Sequence, residues 1–546
     1  MAYIAVIRFY CFKPYLDAEN ICNITCCNLI GIRLSCTAYM DQISGPDRTQ
    51  PRAYCSRYYR FELKQEETFM DTDIGALTVI FTEFYYWVTV PLMFLIHVGF
   101  CMYEVGATRH KNHIHTLMKN TMLIPLVTVT FFFFGWWIYF AFPNGPFITG
   151  GITGDLASHA KPWSQLMAPH MGGAPTGFED NAAEGGFGNG VWSRLNGVFW
   201  AAFLLFSWTA ASIVSGATIE RIRPSAFWIL AVVIGSFAWI IDAAWGWHPD
   251  GWMVTQLGYH DAYASGVIHA IAGGFALGVV CVLGPRIGKF AADGTPRNIN
   301  PHNKWLVTIG LFLIYCGFWG FYVACNVPII GSGDIGNAEG SYTATTIYLT
   351  PTTLSAIVFN FLMSLSGGLI MGYIVSRGEA FWTYSAGLAG IITASAGNDL
   401  YHPIQAMLIG AIGAYCAYKL HFWVEKKFKI DDPVGAIAVH GYAGVIGLVI
   451  CGFVLWGHPA TAGYHENTAF ITPWGQLIGA VIMFGVLGFL PAFIVSKILS
   501  GAGMLRVPPA VELVGLDMSE EMAEEADAIA ISEADIAEAK KLGLLK

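Results

Sequence analysis

One stretch occurs twice in this chain and limits what it can fold into. The first copy is Asp261-Ala-Tyr-Ala-Ser-Gly-Val-Ile-His269-Ala-Ile-Ala-Gly-Gly-Phe-Ala-Leu277. The second is Asp432-Pro-Val-Gly-Ala-Ile-Ala-Val-His440-Gly-Tyr-Ala-Gly-Val-Ile-Gly-Leu448. Both read D-x7-H-x2-A-G-x3-L, and each opens an otherwise uncharged apolar segment. In a helix rising 1.5 Å per residue, an Asp eight residues before a His lies about 12 Å from it along the axis. With the Asp at a membrane face, the His falls near the middle of a ~30 Å hydrocarbon core. An ionisable side chain at that depth is costly and points to function by default. A lone His on an apolar helix is more often a packing residue. A pair at matched positions of a repeat is better read as functional.

The composition gives those segments their setting. Of 546 residues, 55% are hydrophobic and 12% charged, with a mean hydropathy of +0.52. A soluble domain carries roughly 25% charged residues, so this is an all-α, polytopic membrane protein. Its 61 glycines suit helices packed closely through small residues. Its 18 Trp and 37 Phe can form interfacial belts or pore-lining rings. The net charge of −9 comes largely from an acidic end, with Glu520, Glu521, Glu524, Glu525 and Asp527, and carries no functional message. That tail, from 518 on, reads as a solvated helix or a disordered acidic segment. A Walker loop, a Rossmann fingerprint and a basic nucleic-acid motif are all missing, which argues against an ATP-driven pump or a soluble-type enzyme. No second pair of ligands accompanies the histidines at ligand spacing, so neither a metal nor a cofactor is expected.

Eleven apolar spans follow residue 70, roughly 77–103, 118–142, 195–219, 225–247, 263–284, 305–327, 352–376, 382–398, 402–424, 433–456 and 475–499. Between them, 143–194 is a long loop rich in Gly, Pro and Asn. One set of connections is strongly basic: Arg109 and Lys111; Arg221 and Arg223; Arg286, Lys289, Arg297 and Lys304; Arg377; Lys419, Lys426, Lys427 and Lys429. The opposite set holds only Lys161 and Arg194. This asymmetry places the C-terminus in the cytoplasm and residue 70 outside. The two D-x7-H stretches fall in spans five and ten. An offset of five reverses direction, so spans one to five and six to ten read as inverted five-helix repeats, followed by an eleventh helix. In such folds the site lies near the midplane between the repeats, where the two histidines meet from opposite sides.

Residues 1–69 differ from the rest. They hold six of the twelve Cys and eight of the 29 Lys+Arg, on the wrong side for the charge rule. Cys22-x3-Cys26-Cys27 permits a disulfide or metal module. The preferred reading is a poorly ordered or over-extended start, with Met70 the natural beginning. The chain then divides into 1–69, a membrane domain over 70–500 and a cytoplasmic tail over 501–546.

Several stretches resemble the ammonium transporter family, in the Amt branch of the Amt/Rh superfamily. They are Asp-Asp-Pro-Val-Gly-Ala-Ile-Ala-Val-His-Gly at 431–441, Ala264 to His269 with Gly284-Pro-Arg286, Gly99 to Asn112, Gly216 to Arg223, and Leu505-Arg-Val-Pro508 with Glu512 to Asp517. The similarity covers about 70–517. It implies a multi-pass cell-membrane protein that transports ammonium or ammonia, a homotrimer in lipid, and one narrow pore per subunit. By position it implies that His269 and His440 are the pore histidines and proton relay. Phe206 and Phe321 match the phenylalanine gate, and Asp432 a structural acid. Trp247, Asp261 and Cys325 match the outer cation site, with Cys325 open to outside reagents. It also implies a PII-type signalling protein at the cytoplasmic face. Four residues depart from the family pattern: Ala202 in place of a second outer aromatic, Cys325 in place of a hydroxyl, and the acidic Asp242 and Glu104.

The chemistry agrees with that reading. Aromatic faces attract a cation by ~0.5–2 kcal/mol, while an apolar constriction penalises an ion that keeps its charge. Ammonium can escape by losing a proton and potassium cannot. Neutral imidazoles can pass that proton on. The alternative is an ammonium sensor with little flux, motivated by the altered outer site.

Overall fold

In the computed structural model of the chain, the described residues are 81–143, 189–248, 250–328, 344–347, 350–460, 469–517, 537 and 540–541. The described residues all belong to one compact unit, Met70–Lys546. The readings made for 1–69, for most of the 143–194 loop and for nearly all of the tail beyond 517 lie outside the described residues.

Ten described helices are long and apolar enough to cross a membrane. In chain order they are α1 (Phe81–Ala107), α2 (His110–Tyr139), α3 (Val198–Thr218), α4 (Pro224–Gly246), α5 (Ser265–Leu283), α6 (Lys304–Ala324), α7 (Leu354–Ser376), α9 (Pro403–Phe428), α10 (Ile437–Val454) and α11 (Pro473–Gly501). Between α7 and α9 runs α8 (Ala380–Ala394), of 15 residues, extended by a 3-10 turn at Ser395–Gly397. The starts follow local chemistry. Asn303 caps α6 by accepting from Trp305 and Leu306 N–H. Thr472 caps α11 through Gly475 N–H, with Pro473 in the first turn, where its missing donor costs nothing. Left-handed Arg377 and Lys429 end α7 and α9.

Several boundaries differ from the sequence reading by a turn or two, and two of these have a local cause. α2 begins at His110 rather than near 118, because its first turns are polar yet helical. α6 stops at Ala324 rather than near 327, because the chain turns there into a strand, Asn326–Pro328. That strand pairs antiparallel with Ala344–Thr346, which pairs in turn with Pro351–Thr352. Among the described residues, this small sheet is the exception to a helical fold.

Close backbone crossings join equivalent helices of the two halves. A Cβ added at Gly99 of α1 would sit 2.6 Å from the Gly310 carbonyl oxygen of α6, and one at Gly310 would sit 2.7 Å from that of Gly99. A Cβ at Gly273 of α5 would land on Gly441 of α10, and one at Gly444 of α10 on the Ser265 carbonyl of α5. Gly273 and Gly444 are the glycines of the repeated A-G pair. The pairs α1–α6 and α5–α10 are each five helices apart, as an inverted repeat requires. The outer faces of α7, α9 and α11 remain apolar and exposed, with Phe359, Ile370, Ile374, Leu408, Val481 and Ile498 among them.

Candidate functional site

Both copies of the repeated stretch fold alike. Three residues after each Asp stands a left-handed residue, Ala264 (φ 73°) in one and Gly435 (φ 71°) in the other. The Asp side chain then closes back on the helix start. Asp261 accepts from Ser265 N–H (2.7 Å), Gly266 N–H (2.7 Å) and Val267 N–H (2.8 Å). Asp432 accepts from Ile437 N–H (2.9 Å) and Ala438 N–H (3.3 Å). These bonds satisfy donors that a helix start leaves unpaired. A π-helical turn follows in each, Ser265–Ala270 and Ile437–Tyr442, and each contains the His. Such turns are frequent at functional sites, though three more occur among the described residues, at Phe131–Gly135, Ile234–Ala238 and Ile482–Phe489.

The two rings meet. His269 Nδ1 lies 3.0 Å from His440 Nδ1, with centroids 5.1 Å apart. One Nδ1 therefore carries the proton that the other accepts. His269 is fully buried and His440 is 4% exposed. Phe318 and Phe321 stack on His269 at 5.8 and 5.6 Å, and Phe100 lies 6.3 Å from His440. Phe206 meets Phe321 edge-on at 4.8 Å, and Trp247 meets Phe206 at 5.1 Å. A continuous column of rings thus runs Trp247, Phe206, Phe321, His269, His440. The spacing of Phe318 and Phe321 on one helical face was the available sign of the second ring on His269, and sequence reasoning passed it over.

Trp247 Nε1–H donates to the Asp261 carbonyl at 2.7 Å. Tyr259 O–H donates to the Asp261 carboxylate at 3.1 Å. Burial pushes the Asp261 carboxyl up to about 6, against the donors that favour its charge. Ala202 stands one turn before Phe206 and brings no ring of its own, while the neighbouring Phe203 lies 6.3 Å from Trp247 and 6.0 Å from Phe206. Cys325 is fully buried, not open to outside reagents. Its backbone carbonyl accepts from Ile347 N–H at 2.9 Å, which ties the end of α6 under the small sheet, and its Sγ–H donates to the Phe321 carbonyl at 3.3 Å. Asp242 is fully buried, and neither carboxylate oxygen has a hydrogen-bond partner among the described residues.

The basic end of the bundle is held by a buried ion network. Arg286 donates to Asp431 through Nε (2.9 Å) and Nη2 (3.0 Å) and reaches Glu220 at 3.2 Å. Burial alone would raise the Asp431 carboxyl, but Arg286 and Arg221 hold it well below the usual carboxylate range. The tail docks on this network. Arg223 Nε–H donates to the Arg506 carbonyl (3.1 Å), Arg506 Nη2–H donates to Glu512 (2.8 Å), and Glu512 accepts from Ile287 N–H (2.7 Å). Asp517 accepts from His115 N–H at 2.9 Å. The segment from Leu505 to Asp517 therefore clips together the first turns of α2 and the connections α3–α4 and α5–α6 of its own subunit.

Residues 84–526 match the model of the Ammonium Transporter Family. "Ammonium transporter Amt2" of Methanocaldococcus jannaschii is 31% identical over 432 residues, covering 79% of this chain and 87% of that protein. "Ammonium transporter Amt2" of Archaeoglobus fulgidus is 28% identical over 458 residues, covering 79% and 85%. Among solved structures, a "Sensor Amt Protein" superposes with a TM-score of 0.61 at 24% identity, covering 82% of this chain and 99% of that one, a likeness of fold alone. The helices that carry the paired histidines and the ring column all lie inside the matched region, and this chain belongs to the ammonium transporter family.

Proposed function

We propose that each subunit carries ammonium across a cell membrane by separating it into ammonia and a proton. The observation that carries this reading is the buried ring column ending in two hydrogen-bonded imidazoles. Trp247 and the ring of Phe206 receive the cation, with Asp261 shaping the turn beneath. The Phe206–Phe321 gate is too apolar for a cation that stays charged. Ammonium gives up its proton there, ammonia continues, and the proton enters the histidine pair. When a proton reaches one imidazole, the bridging Nδ1 proton shifts across the 3.0 Å contact, and the partner ring releases its own on the far side. Asp432 holds the second helix start in place. Reconstituted protein should therefore show ammonium-evoked current and uptake that methylammonium shares and K⁺ does not. Equal currents with K⁺ would rule the reading out. Binding of ammonium without flux would favour the sensor reading, for which the altered outer site speaks.

The proposal extends to assembly. The exposed apolar faces suit lipid and a homotrimer, the C-terminus lies in the cytoplasm, and a PII-type protein meets that face. Truncations separate the three parts. A chain starting at Met70 is expected to insert, assemble and transport like the full one. A chain lacking 501–546 loses the Arg506–Glu512 clip and should transport several-fold less while still inserting. Uptake by the two truncated proteins in vesicles measures both, and equal uptake by the tail-less chain would mean that the clip does not support transport.

Cys325 offers a finer test. A serine there can donate to the Phe321 carbonyl as the thiol does, and its oxygen keeps a better acceptor for an ammonium N–H. Cys325→Ser is expected to tighten apparent affinity by ~0.5–1.5 kcal/mol, one net hydrogen bond. The half-saturating ammonium concentration of the evoked current reads this out. An unchanged value would make Cys325 a packing residue.

A further inference from the structure

Below the histidines, one cavity is walled by Phe100, Tyr103, Glu104, Gly216 and His440, among others. It lies on the basic side of the pair, since Glu104 and Gly216 sit in the last turns of α1 and α3, next to the ion network. Glu104 is fully buried, as is Lys119 of α2, whose Nζ stands 3.7 Å from Glu104 Oε2. Glu104 Oε2 also accepts from Ser215 Oγ–H at 2.6 Å and Asn120 Nδ2–H at 2.9 Å. Lys119 donates to the Ser215 carbonyl at 2.8 Å and lies over the Phe227 ring. Glu104 Oε1 has no partner among the described residues. Gly216 and Val434 line the cavity beside that oxygen, and a Cβ added at Gly216 would meet Val434 at 2.6 Å and lie 3.6 Å from Glu104 Oε1.

This arrangement is more than a charge pair. An ion pair that served only to join α1 and α2 would gain from using both carboxylate oxygens. Here three donors or charges converge on one oxygen while the other stands free in the space that His440 also lines. Other ionisable groups face the pair from each neighbouring element. Cys101 and Tyr103 are on α1, His440 is across the cavity on α10, and His115 and Arg221 lie beside Lys119. Among these, Glu104 is the one carboxylate in the cavity wall.

We propose that Glu104 is the inner proton station of the pathway, receiving on Oε1 the proton that leaves His440, with Lys119 as its fixed counter-charge. The inference rests on the transport reading above. The sequence balances: ammonium loses one proton at the gate, the histidine pair takes it and releases one from His440, and Glu104 accepts that proton. Glu104 then frees it to the inner solution, where it rejoins ammonia.

The test compares two signals in proteoliposomes. Charge is read as ammonium-evoked current and ammonia entry by an internal pH dye. Glu104→Gln keeps the shape and its hydrogen bonds but cannot take the proton. It should lower the ratio of charge to ammonia entry at least tenfold, and Glu104→Asp should restore part of it. Because Glu104→Gln leaves Lys119 buried alone and could impair folding, the double variant Glu104→Gln/Lys119→Gln is made beside it. The same tenfold fall is expected there. A purely structural pair would lower both signals together and leave the ratio and its pH profile unchanged, which overturns the proposal. A parent protein that takes up ammonium with no charge at all overturns the transport reading and this inference with it.

Discussion

Replacing His440 or His269 by alanine is expected to remove ammonium-evoked current by a factor of about 100 or more, while the protein still inserts and assembles. Positioned acid–base groups contribute 10²–10⁴-fold where a proton must move. Here one deletion disables both rings, because each Nδ1 has the other as its partner at 3.0 Å. The remaining ring keeps an unpaired nitrogen among Phe318, Phe321 or Phe100, and no nearby group replaces the lost acceptor. Loss of one buried side chain costs about 2–5 kcal/mol at most, which a bundle of this size should survive. Current from both single variants beside K⁺ controls decides the matter. Normal current with normal selectivity in both would leave the histidines as packing residues.

A second substitution should act through the backbone alone. Gly444→Val is expected to abolish monodisperse, transport-competent protein, and Gly444→Ala to lower thermal stability by about 1–3 kcal/mol, the usual cost of overpacking. A Cβ at Gly444 would land on the Ser265 carbonyl and sit 3.0 Å from the Ala270 N, and backbone cannot swing aside as a side chain can. Any widening there separates the two π turns that hold the histidines, so flux should fall further than stability. Gly485→Ala in α11 is the control, since nothing lies within 4 Å of its added Cβ. Equal melting temperatures for Gly444→Ala and Gly485→Ala would mean that the crossing is not tight.

Much of this was legible in the sequence, for reasons that can be named. Hydropathy marks helices that must satisfy their own backbone in lipid, and loop charge with an odd offset gives the inversion. The matched Asp and His mark the helix pair that crosses. What the sequence hid were contacts between distant elements. Glu104 stood out as an acid in an apolar span, yet its partner Lys119 lies on the next helix, and spacing does not pair them. The C-terminal end of α6 and the surroundings of Cys325 depend on a small sheet folded from the segment between α6 and α7, whose short strands carry little pattern of their own. The role of Asp261 also shifts with three dimensions. Its carboxylate accepts from three N–H groups at the start of α5, so what it visibly does is fix that turn. The π turns left no sign in the residue pattern, because a single surplus residue in a helix has no periodicity of its own.

The unbroken ring column divides the membrane voltage in a particular way. Packed, buried rings from Trp247 to His440 hold few dipoles free to reorient, so in the proposed pore most of the potential drops across them. A neutral ammonia molecule crosses that region without feeling the field. A proton handed along the imidazoles feels nearly all of it, about 2.3 kcal/mol for each 100 mV. In the proposed cycle, the membrane potential therefore acts on one leg of the journey only. An inside-negative cell drives accumulation through the proton while the nitrogen itself moves as an uncharged passenger.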